Sequence, residues 1–485
     1  MMIMAGDGAA LSCQQHRGVR VTPRWLLVTV LSLSLGLQVF ADARQNATAG
    51  VPGGAAAKDE SRPAPADPRI KTPIDHLDLQ DGDTVVFLGD SLTMQCGYTQ
   101  YIEDFYYTRF PHLKINFHNA GVGGDRVFHA LDRFDPDVAA YKPKYVTVMF
   151  GGNDAKDKQW DAALFEKYAT DMLTLIKKIQ AIGAMPILMG PAMYDRRALL
   201  LKPSPARPYD SEAAKYSNPV MGYYSAYMRD QAGELGLLYA DVYSAQNNYA
   251  FEQRIHNPTY KMSLDAWHPL PDSEIVMAAT FLDAVHAPRL VSSTTASYEN
   301  LHWKMASTPN GKVSDIGGDT SHLSFVLLEP ALPWVVTADA ALGYKNSGAG
   351  ERHSAEPLQI QGLTPGNYEV KIDGKSIGVF PSSLLAVNLD LQDCEQAPQV
   401  QQALAVAMLN REKNEKAMHP IRSLYRDLKI NSPNHVTPEY MATAMNEMKP
   451  KVDALLKLKG EYEQKIYVAA APIAHRYEII RTSSK

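Results

Sequence analysis

Three side chains that can carry out nucleophilic catalysis stand at informative places in this sequence. Ser91 comes two residues after Gly89, at the end of the apolar and β-branched run 84–88. Such a run predicts a buried strand that ends in a tight turn and exposes the serine at the strand's carboxyl end, where open α/β sheets bind ligands. Far downstream, Asp265 and His268 lie three residues apart. Together the three residues supply a nucleophile, a base to take its proton and a carboxylate to orient the base, as acyl transfer requires.

Two further segments supply hydrogen-bond donors for the oxyanion that this chemistry forms. The alternating apolar run 113–117 leads into a glycine-rich loop that contains Gly124, and the run 145–150 leads into Asn153. A tetrahedral oxyanion needs fixed donors, and backbone and side-chain amides at these positions can provide them. The predicted site therefore consists of catalytic Ser91, His268 and Asp265 and an oxyanion hole of Ser91, Gly124 and Asn153.

The elements that must position these residues alternate along the chain. Strand-like runs occur at residues 84–89, 113–117, 145–150, 185–189 and 237–242. Between and after them lie segments with apolar residues at helical spacing, the clearest at 162–182 and 275–285. Strands that alternate with helices predict an α/β fold whose parallel sheet is covered by helices on both faces.

The same residues resemble the SGNH (GDSL-type) hydrolases. Gly89-Asp90-Ser91-Leu92 is similar to that family's nucleophile block, Gly124 and Asn153 to its oxyanion residues, and Asp265 with His268 to its acid and base. The resemblance covers residues 80–288. It implies a flavodoxin-like three-layer α/β/α fold, hydrolysis of carboxylic esters, and no metal or organic cofactor. An ordinary α/β-hydrolase is the weaker match, because its nucleophile motif needs glycine where Thr93 stands and its acid usually lies well before the histidine.

Each motif also has a purely structural interpretation. Gly-Asp-Ser after a strand is common as a turn with a helix cap, and Gly-Gly-Asn-Asp is common as a turn. Their order along the chain, with the first three motifs at the ends of apolar runs, favours catalysis. Asp90, Asp125 and Asp154 are expected to stabilise turns rather than to react, because their carboxylates can accept from neighbouring backbone amides.

The substrate is less sharply defined by the sequence. Residues 191–218 and 243–260 follow predicted strands and mix aromatic residues with Asn and Arg. These side chains suit a sugar, although packing aromatics and solvated charges explain them equally well. Deacetylation of a carbohydrate is the leading hypothesis, and lysophospholipid or general short-chain ester hydrolysis is the runner-up. A protein of a different class, an envelope or glycan-binding protein that retains an inactive esterase core, is the third.

Composition and the N-terminus indicate an exported globular protein. The chain has 485 residues, 45% of them hydrophobic and 21% charged, and a formal net charge of −5 that gives no electrostatic case for nucleic-acid binding. Arginines before the apolar run 25–40, followed by Ala41-Asp42-Ala43, predict a signal peptide at 1–43 and a secreted, periplasmic or envelope location without stable membrane insertion after cleavage. An uncleaved anchor is the alternative. Residues 44–70 have the composition of a disordered linker.

Beyond the predicted catalytic domain at 71–288, the sequence changes character. Residues 289–395 predict a small antiparallel β accessory region, and 396–485 predict a C-terminal helical hairpin, with a final strand that would make the helices an insertion. A partner-binding coiled coil is the alternative for the helices. Cys96 and Cys394 remain after signal cleavage and are expected to be buried thiols, although a single bridge between them is open. The oligomeric state does not follow from the sequence.

Overall fold

Five parallel strands form the central sheet. They are β1 (Thr84–Gly89), β2 (Asn116–Gly121), β3 (Tyr145–Met149), β4 (Met185–Met189) and β5 (Leu238–Ala240), in the spatial order β2-β1-β3-β4-β5. This is the flavodoxin-like order that the resemblance implied. Gly89 at the end of β1 lies opposite Gly121 on one side and Met149 on the other, so the turns after β1, β2 and β3 leave the sheet side by side.

The computed structural model describes residues 74–156, 159–203, 205, 207–431 and 438–482. All of them belong to one compact unit, residues 70–485. The predicted signal peptide at 1–43 and the predicted linker at 44–70 lie outside the described residues.

Helices cover both faces of the sheet, as predicted. They are α1 (Ser91–Met94), α2 (Gly97–Arg109), α3 (Val127–Asp132), α4 (Phe134–Asp137), α5 (Gly152–Ala155), α6 (Ala162–Ala181), α7 (Arg197–Leu201), α8 (Glu212–Leu235), α9 (Val242–His256) and α10 (Pro271–Ala284), with a 3₁₀ turn at Ala139–Tyr141. Successive strand residues point to opposite faces. Phe87 therefore packs in the core shared with α2 and α10, whereas Val86 packs in the core shared with α6 and α8.

The β-rich region forms two sheets. Its strands are β6 (Ser293–Glu299), β7 (His302–Thr308), β8 (Lys312–Asp319), β9 (His322–Leu328), β10 (Pro357–Gln361), β11 (Asn367–Ile372), β12 (Lys375–Pro381), β13 (Leu389–Asp390) and β14 (His475–Arg481). Their orders are β13-β10-β6-β7 and β12-β11-β14-β9-β8. The second sheet is antiparallel as expected, whereas the first contains one parallel pair, β6 with β10, because a long connection separates these strands. Short helices lie between the strands: α11 (Ala341–Asn346), α12 (Ala349–His353), α13 (Ser382–Val387) and 3₁₀ turns at Ala338–Ala340 and Leu391–Asp393.

The C-terminal helices are inserted before the last strand. They are α14 (Pro398–Lys413), which continues through a π-helical turn (Asn414–Met418) into α15 (His419–Asn431), and α16 (Pro438–Ala470). β14 then pairs with both β9 and β11. The insertion packs as an intramolecular hairpin against α2, where the Lys413 ammonium lies 2.9 Å from the buried Glu103 carboxylate.

Two further predictions concern the cysteines and the insertion of the chain into a membrane. Cys96 and Cys394 are buried thiols that are not joined in a disulfide, as favoured from the sequence. None of the helices that the structure describes is long and apolar enough to cross a membrane.

Candidate active site

Ser91 is the first residue of α1, directly beyond the turn that ends β1. Glycine is required at position 89, because a Cβ there would lie 2.1 Å from Thr93 Oγ1. The Asp90 carboxylate caps the helix by accepting a 3.0 Å hydrogen bond from the backbone N–H of Leu92. The tight turn therefore leaves the Ser91 hydroxyl partly exposed at the edge of the sheet.

His268 meets Ser91 although 177 positions separate them. Its Nε2 lies 3.1 Å from Ser91 Oγ, and its Nδ1 lies 3.1 and 2.9 Å from the two carboxylate oxygens of Asp265. Because the carboxylate can only accept, this geometry assigns the ring proton to Nδ1 and leaves Nε2 free to accept the serine proton. The structure thus brings together all three residues that the sequence predicted.

The aspartate is held by its own loop as well as by the imidazole. Asp265 accepts hydrogen bonds from the backbone N–H groups of Trp267 at 3.2 Å and His268 at 3.0 Å. Burial raises the pKa of Asp265, but these bonds and the ring contact outweigh it and lower the pKa below its ordinary value. Ala266 has φ of +79°, an unfavourable value for a residue with a Cβ, and its carbonyl is anchored by the Asp195 N–H at 2.9 Å.

The predicted oxyanion donors lie on the other side of the serine. Gly124 has φ of +73°, in the left-handed region that favours glycine. Asn153 stands in α5, just after β3, and its Nδ2 donates to the Asp125 carbonyl at 3.0 Å and to Asp90 Oδ2 at 3.2 Å. These two bonds fix the orientation of the amide. Gly124, Asn153, Ser91 and His268 all line one cavity of about 420 Å³.

Two adjoining spaces are available for a substrate. The large cavity is lined by Asp90, Ser91, Leu92, Gly124, Arg126, Gly152, Asn153, Lys156, Arg207, Trp267 and His268. A small neighbouring pocket of about 20 Å³ is lined by Asp90, Leu92, Met149, Phe150, Gly152, Pro191, Ala192 and Trp267. A polar cavity next to a small apolar pocket suits an ester with a polar alcohol and a short acyl group.

Only part of this lining lies in the segments that the sequence predicted to shape the substrate pocket. Arg207, in the stretch 191–218, does line the cavity, and its guanidinium lies 4.0 Å from Asp265 Oδ2. Most of 243–260 is instead the regular helix α9, whose Tyr249 packs into an apolar cluster. Trp267, Arg126 and Lys156 were missed, although the first stands between the predicted acid and base and the second directly follows the glycine-rich loop.

The three aspartates next to the motifs all accept hydrogen bonds, but their partners differ from those of simple turns. Asp154 accepts a 3.2 Å hydrogen bond from the Val127 N–H, and burial raises the pKa of Asp154 to about 7. Burial likewise raises the pKa of Asp90 to about 6. Asp125 is paired through Oδ2 with the Nε of Arg133 at 2.8 Å, so it accepts from a side chain rather than from the backbone.

Comparisons with known proteins match the part of the chain that contains this site. Residues 87–272 match the model of the GDSL-like lipase/acylhydrolase family. The chain is similar to an acetylxylan esterase of Geobacillus stearothermophilus, with 23% identity over 231 residues that make up 42% of this chain and 95% of that protein. It is also similar to an uncharacterized lipoprotein of Bacillus subtilis (strain 168), with 36% identity over 73 residues, 15% of this chain and 30% of that protein.

One solved structure extends the comparison. A gut microbial diltiazem-metabolizing enzyme shares the fold with a TM-score of 0.69 and 23% identity, covering 84% of this chain and 100% of that one. The shared fold therefore reaches well beyond the matched domain. Through residues 87–272 the chain belongs to the SGNH (GDSL-type) hydrolase superfamily, whose three-layer fold it adopts. It is a carboxylic ester hydrolase.

Proposed function

We propose that this protein removes acetyl groups from a carbohydrate by a serine mechanism, with Ser91, His268 and Asp265 as catalytic residues. The observation that carries the proposal is the 3.1 Å approach of His268 Nε2 to Ser91 Oγ within the cavity that Gly124 and Asn153 also line. A nucleophile, an oriented base and two sources of oxyanion donors around one space form the arrangement that acyl transfer needs.

The reaction steps follow from the positions of the Ser91, His268 and Asp265 side chains. Ser91 Oγ attacks the ester carbonyl while His268 Nε2 takes the hydroxyl proton, and Asp265 stabilises the resulting imidazolium. The N–H groups of Ser91 and Gly124 hold the oxyanion, and the Asn153 amide joins them by exchanging its Nδ2 bond to Asp90 Oδ2 for one to the oxyanion. His268 then protonates the leaving alcohol, which leaves an acetyl ester on Ser91 Oγ. Water attacks this ester while His268 takes a proton from it, and His268 returns the proton to Ser91 Oγ as the C–O bond breaks and acetate is released.

The small pocket supports a short acyl group. Its volume is about 20 Å³, and Met149, Phe150, Pro191 and Ala192 give it apolar walls. Because one water molecule already needs roughly 10–15 Å³ of such space, the pocket holds about one methyl group. The acyl chain of a lysolipid would have to leave through the polar cavity instead, which favours acetyl esters.

The larger cavity supports a sugar as the alcohol. The Trp267 ring offers a surface on which a sugar can stack, while Arg126 and Arg207 offer donors for hydroxyl groups. The acetylxylan esterase relative bears a name that states an acetylated glycan as its substrate. This similarity supports a glycan ester over a lysolipid.

Location and domain limits belong to the same proposal. The signal-peptide pattern at 1–43 supports export to the envelope or the medium, and a similar protein is named a lipoprotein. We assign residues 71–288 to the catalytic domain, 289–395 to the accessory region and 396–485 to the helical region with its final strand. N-terminal sequencing of the exported protein tests the cleavage after Ala43.

The deciding experiment compares substrates with purified wild type and Ser91→Ala. Acetylated xylo-oligosaccharides and other acetylated glycans, lysophosphatidylcholine and 4-nitrophenyl acetate are incubated with each protein, and released acetate or fatty acid is measured. We expect acetate release from a glycan by the wild type only. Preference for the lysolipid would identify a lysophospholipase. Glycan binding without any turnover would identify the binding protein with an inactive core.

A further inference from the structure

Helix α15 of the C-terminal insertion reaches the loop that carries Gly124. The Lys429 ammonium donates a 3.2 Å hydrogen bond to the Gly123 carbonyl across 306 positions of sequence. The same ammonium lies 2.9 Å from Oδ1 of Asp125, which is 1% exposed. A Cβ on Gly124 would come within 3.4 Å of it. Lys429 therefore contacts the residues on both sides of Gly124.

The start of the loop is held by the same helix. Arg422, which is fully buried, donates through Nε to the Gly121 carbonyl at 2.9 Å. Val122 packs in an apolar cluster with Ile421 and Tyr425 of α15. Helix α15 thus holds the Gly121 carbonyl and the Val122 side chain as well as the two groups that Lys429 contacts. It therefore fixes residues 121–125 at several points.

We infer that Lys429 is a positioning residue for ester hydrolysis, acting through the peptide unit between Gly123 and Gly124; the inference rests on the proposed function. The Gly123 C=O and the Gly124 N–H belong to one planar trans peptide, so they point in opposite directions. Fixing the carbonyl on Lys429 therefore fixes the direction in which the Gly124 N–H is aimed. Two adjacent glycines would otherwise allow this peptide to rotate.

Lys429 also acts on the second oxyanion donor. It is paired with Asp125, whose carbonyl accepts from Asn153 Nδ2 at 3.0 Å. A cation on the carbonyl side of the Gly123-Gly124 peptide polarises that peptide and strengthens its N–H as a donor. The C-terminal insertion is thus part of the esterase site, since it orients one donor and supports the other.

The test compares Lys429→Met, Lys429→Arg and the control Lys449→Met. Lys449 is an exposed lysine of α16 that is paired with Asp453 of the same helix. Complete loss of an oxyanion donor costs about 10²- to 10³-fold in kcat, so a mis-aimed donor in Lys429→Met should cost about 10-fold. KM for 4-nitrophenyl acetate should match that of Lys449→Met. The melting temperature should be lower because the buried Asp125 loses one of its two charge partners, and Lys429→Arg should recover most of the rate and of the melting temperature.

Labelling of Ser91 by a fluorophosphonate, with Ser91→Ala as the blank, provides a readout that does not depend on ester turnover, and it should slow in parallel. Equal kcat and labelling rates in Lys429→Met and Lys449→Met would overturn the inference. So would a loss that accompanies a lower melting temperature and is not restored by arginine. If the wild type is labelled but hydrolyses no acetyl ester, the proposed substrate is wrong and labelling alone decides the role of Lys429. A wild type that is neither active nor labelled overturns both proposals.

Discussion

Arg422 and Asp137 form a bidentate ion pair that is completely buried between α15 and α4. The guanidinium donates to the two carboxylate oxygens at 2.8 and 2.6 Å, and both side chains are 0% exposed. Burial raises the pKa of Asp137, but the charge of Arg422, the hydrogen bond with His118 and the charge of Arg133 outweigh it and keep the pKa well below its usual range. The insertion is therefore joined to the catalytic domain by a pair that is charged at neutral pH.

Removing one partner of this pair should destabilise the protein strongly. Arg422→Met leaves the Asp137 carboxylate buried with less compensation, and losses of this kind are about 3–5 kcal/mol. Urea unfolding at pH 7 measures the effect. The double variant Arg422→Met/Asp137→Asn should regain part of the loss, because the buried carboxylate charge is removed and Arg133 keeps its pair with Asp125. Additive losses in the double variant would contradict this account.

Replacing the nucleophile should abolish catalysis without affecting the fold. Ser91 is partly exposed, and its hydroxyl hydrogen-bonds with His268, so Ser91→Ala creates no cavity in the core. We expect kcat for 4-nitrophenyl acetate to fall by roughly 10⁴-fold or more, because members of a catalytic unit fail together. Circular dichroism checks the fold. A residual rate above a tenth of the wild type would exclude Ser91 as nucleophile.

Removal of the Asn153 amide should affect the rate rather than binding. The donor matches charge that develops only in the transition state, so Asn153→Ala should lower kcat by about 10²- to 10³-fold with little change in KM. Steady-state kinetics on acetyl esters separate the two constants. An effect on KM alone would identify Asn153 as a substrate-binding residue.

Acyl-chain length should be limited by the small pocket. With 4-nitrophenyl esters, the wild type should prefer acetate to butyrate by about 10-fold or more, since one methylene of misfit changes the barrier by about 1–3 kcal/mol. Ala192 lines that pocket and is 6% exposed, so Ala192→Val should fill it and lower kcat/KM for acetate but not for formate, which lacks the methyl group. Equal loss with both esters would show a general distortion of the site.

The buried Asp154 should make stability depend on pH. Burial raises its pKa from 3.8 to about 7, so the folded protein retains a proton that the unfolded chain loses. The contribution of this proton to the free energy of unfolding is therefore at its maximum below about pH 4. It is lost as the pH rises to about 7. Asp154→Asn lacks this dependence, so its stability relative to the wild type should improve from pH 5.5 to 8.5 by about 2 kcal/mol, since about 1.5 pH units of that range lie below the folded pKa, at roughly 1.4 kcal/mol per unit. Urea unfolding of both proteins at the two pH values measures their difference in free energy of unfolding. A difference that is the same at both pH values would refute the prediction.

The local elements and the reactive residues could be predicted from the sequence. The run 84–88 is apolar and β-branched, and a buried strand in a parallel sheet requires that composition. Gly89 is unavoidable because Thr93 and the Met149 carbonyl occupy the space of a Cβ. The carboxyl ends of neighbouring parallel strands meet at one edge, so the strand-end motifs were expected to converge, and they do.

Other features depended on long-range packing. The position of β14 in the sheet, between β9 and β11, is set by pairing with strands that lie more than 100 residues away in the sequence. Its short alternating apolar pattern would fit an edge strand as well as a central strand. The wall of the small pocket likewise combines β3 and the segment after β4, whose side chains meet only when the strands are in register.

Ser91, His268 and Asp265 could be proposed as the catalytic residues from the sequence alone, because each of these side chains belongs to a short motif whose spacing reflects local geometry. The role of Lys429 was decided only by the tertiary structure. A lysine on a helix is usually a solvated residue, and no local pattern distinguishes one that donates to a carbonyl 306 positions away. Hydrophobic packing of α15 against Val122 brings the two together, and such packing is a property of the whole folded chain.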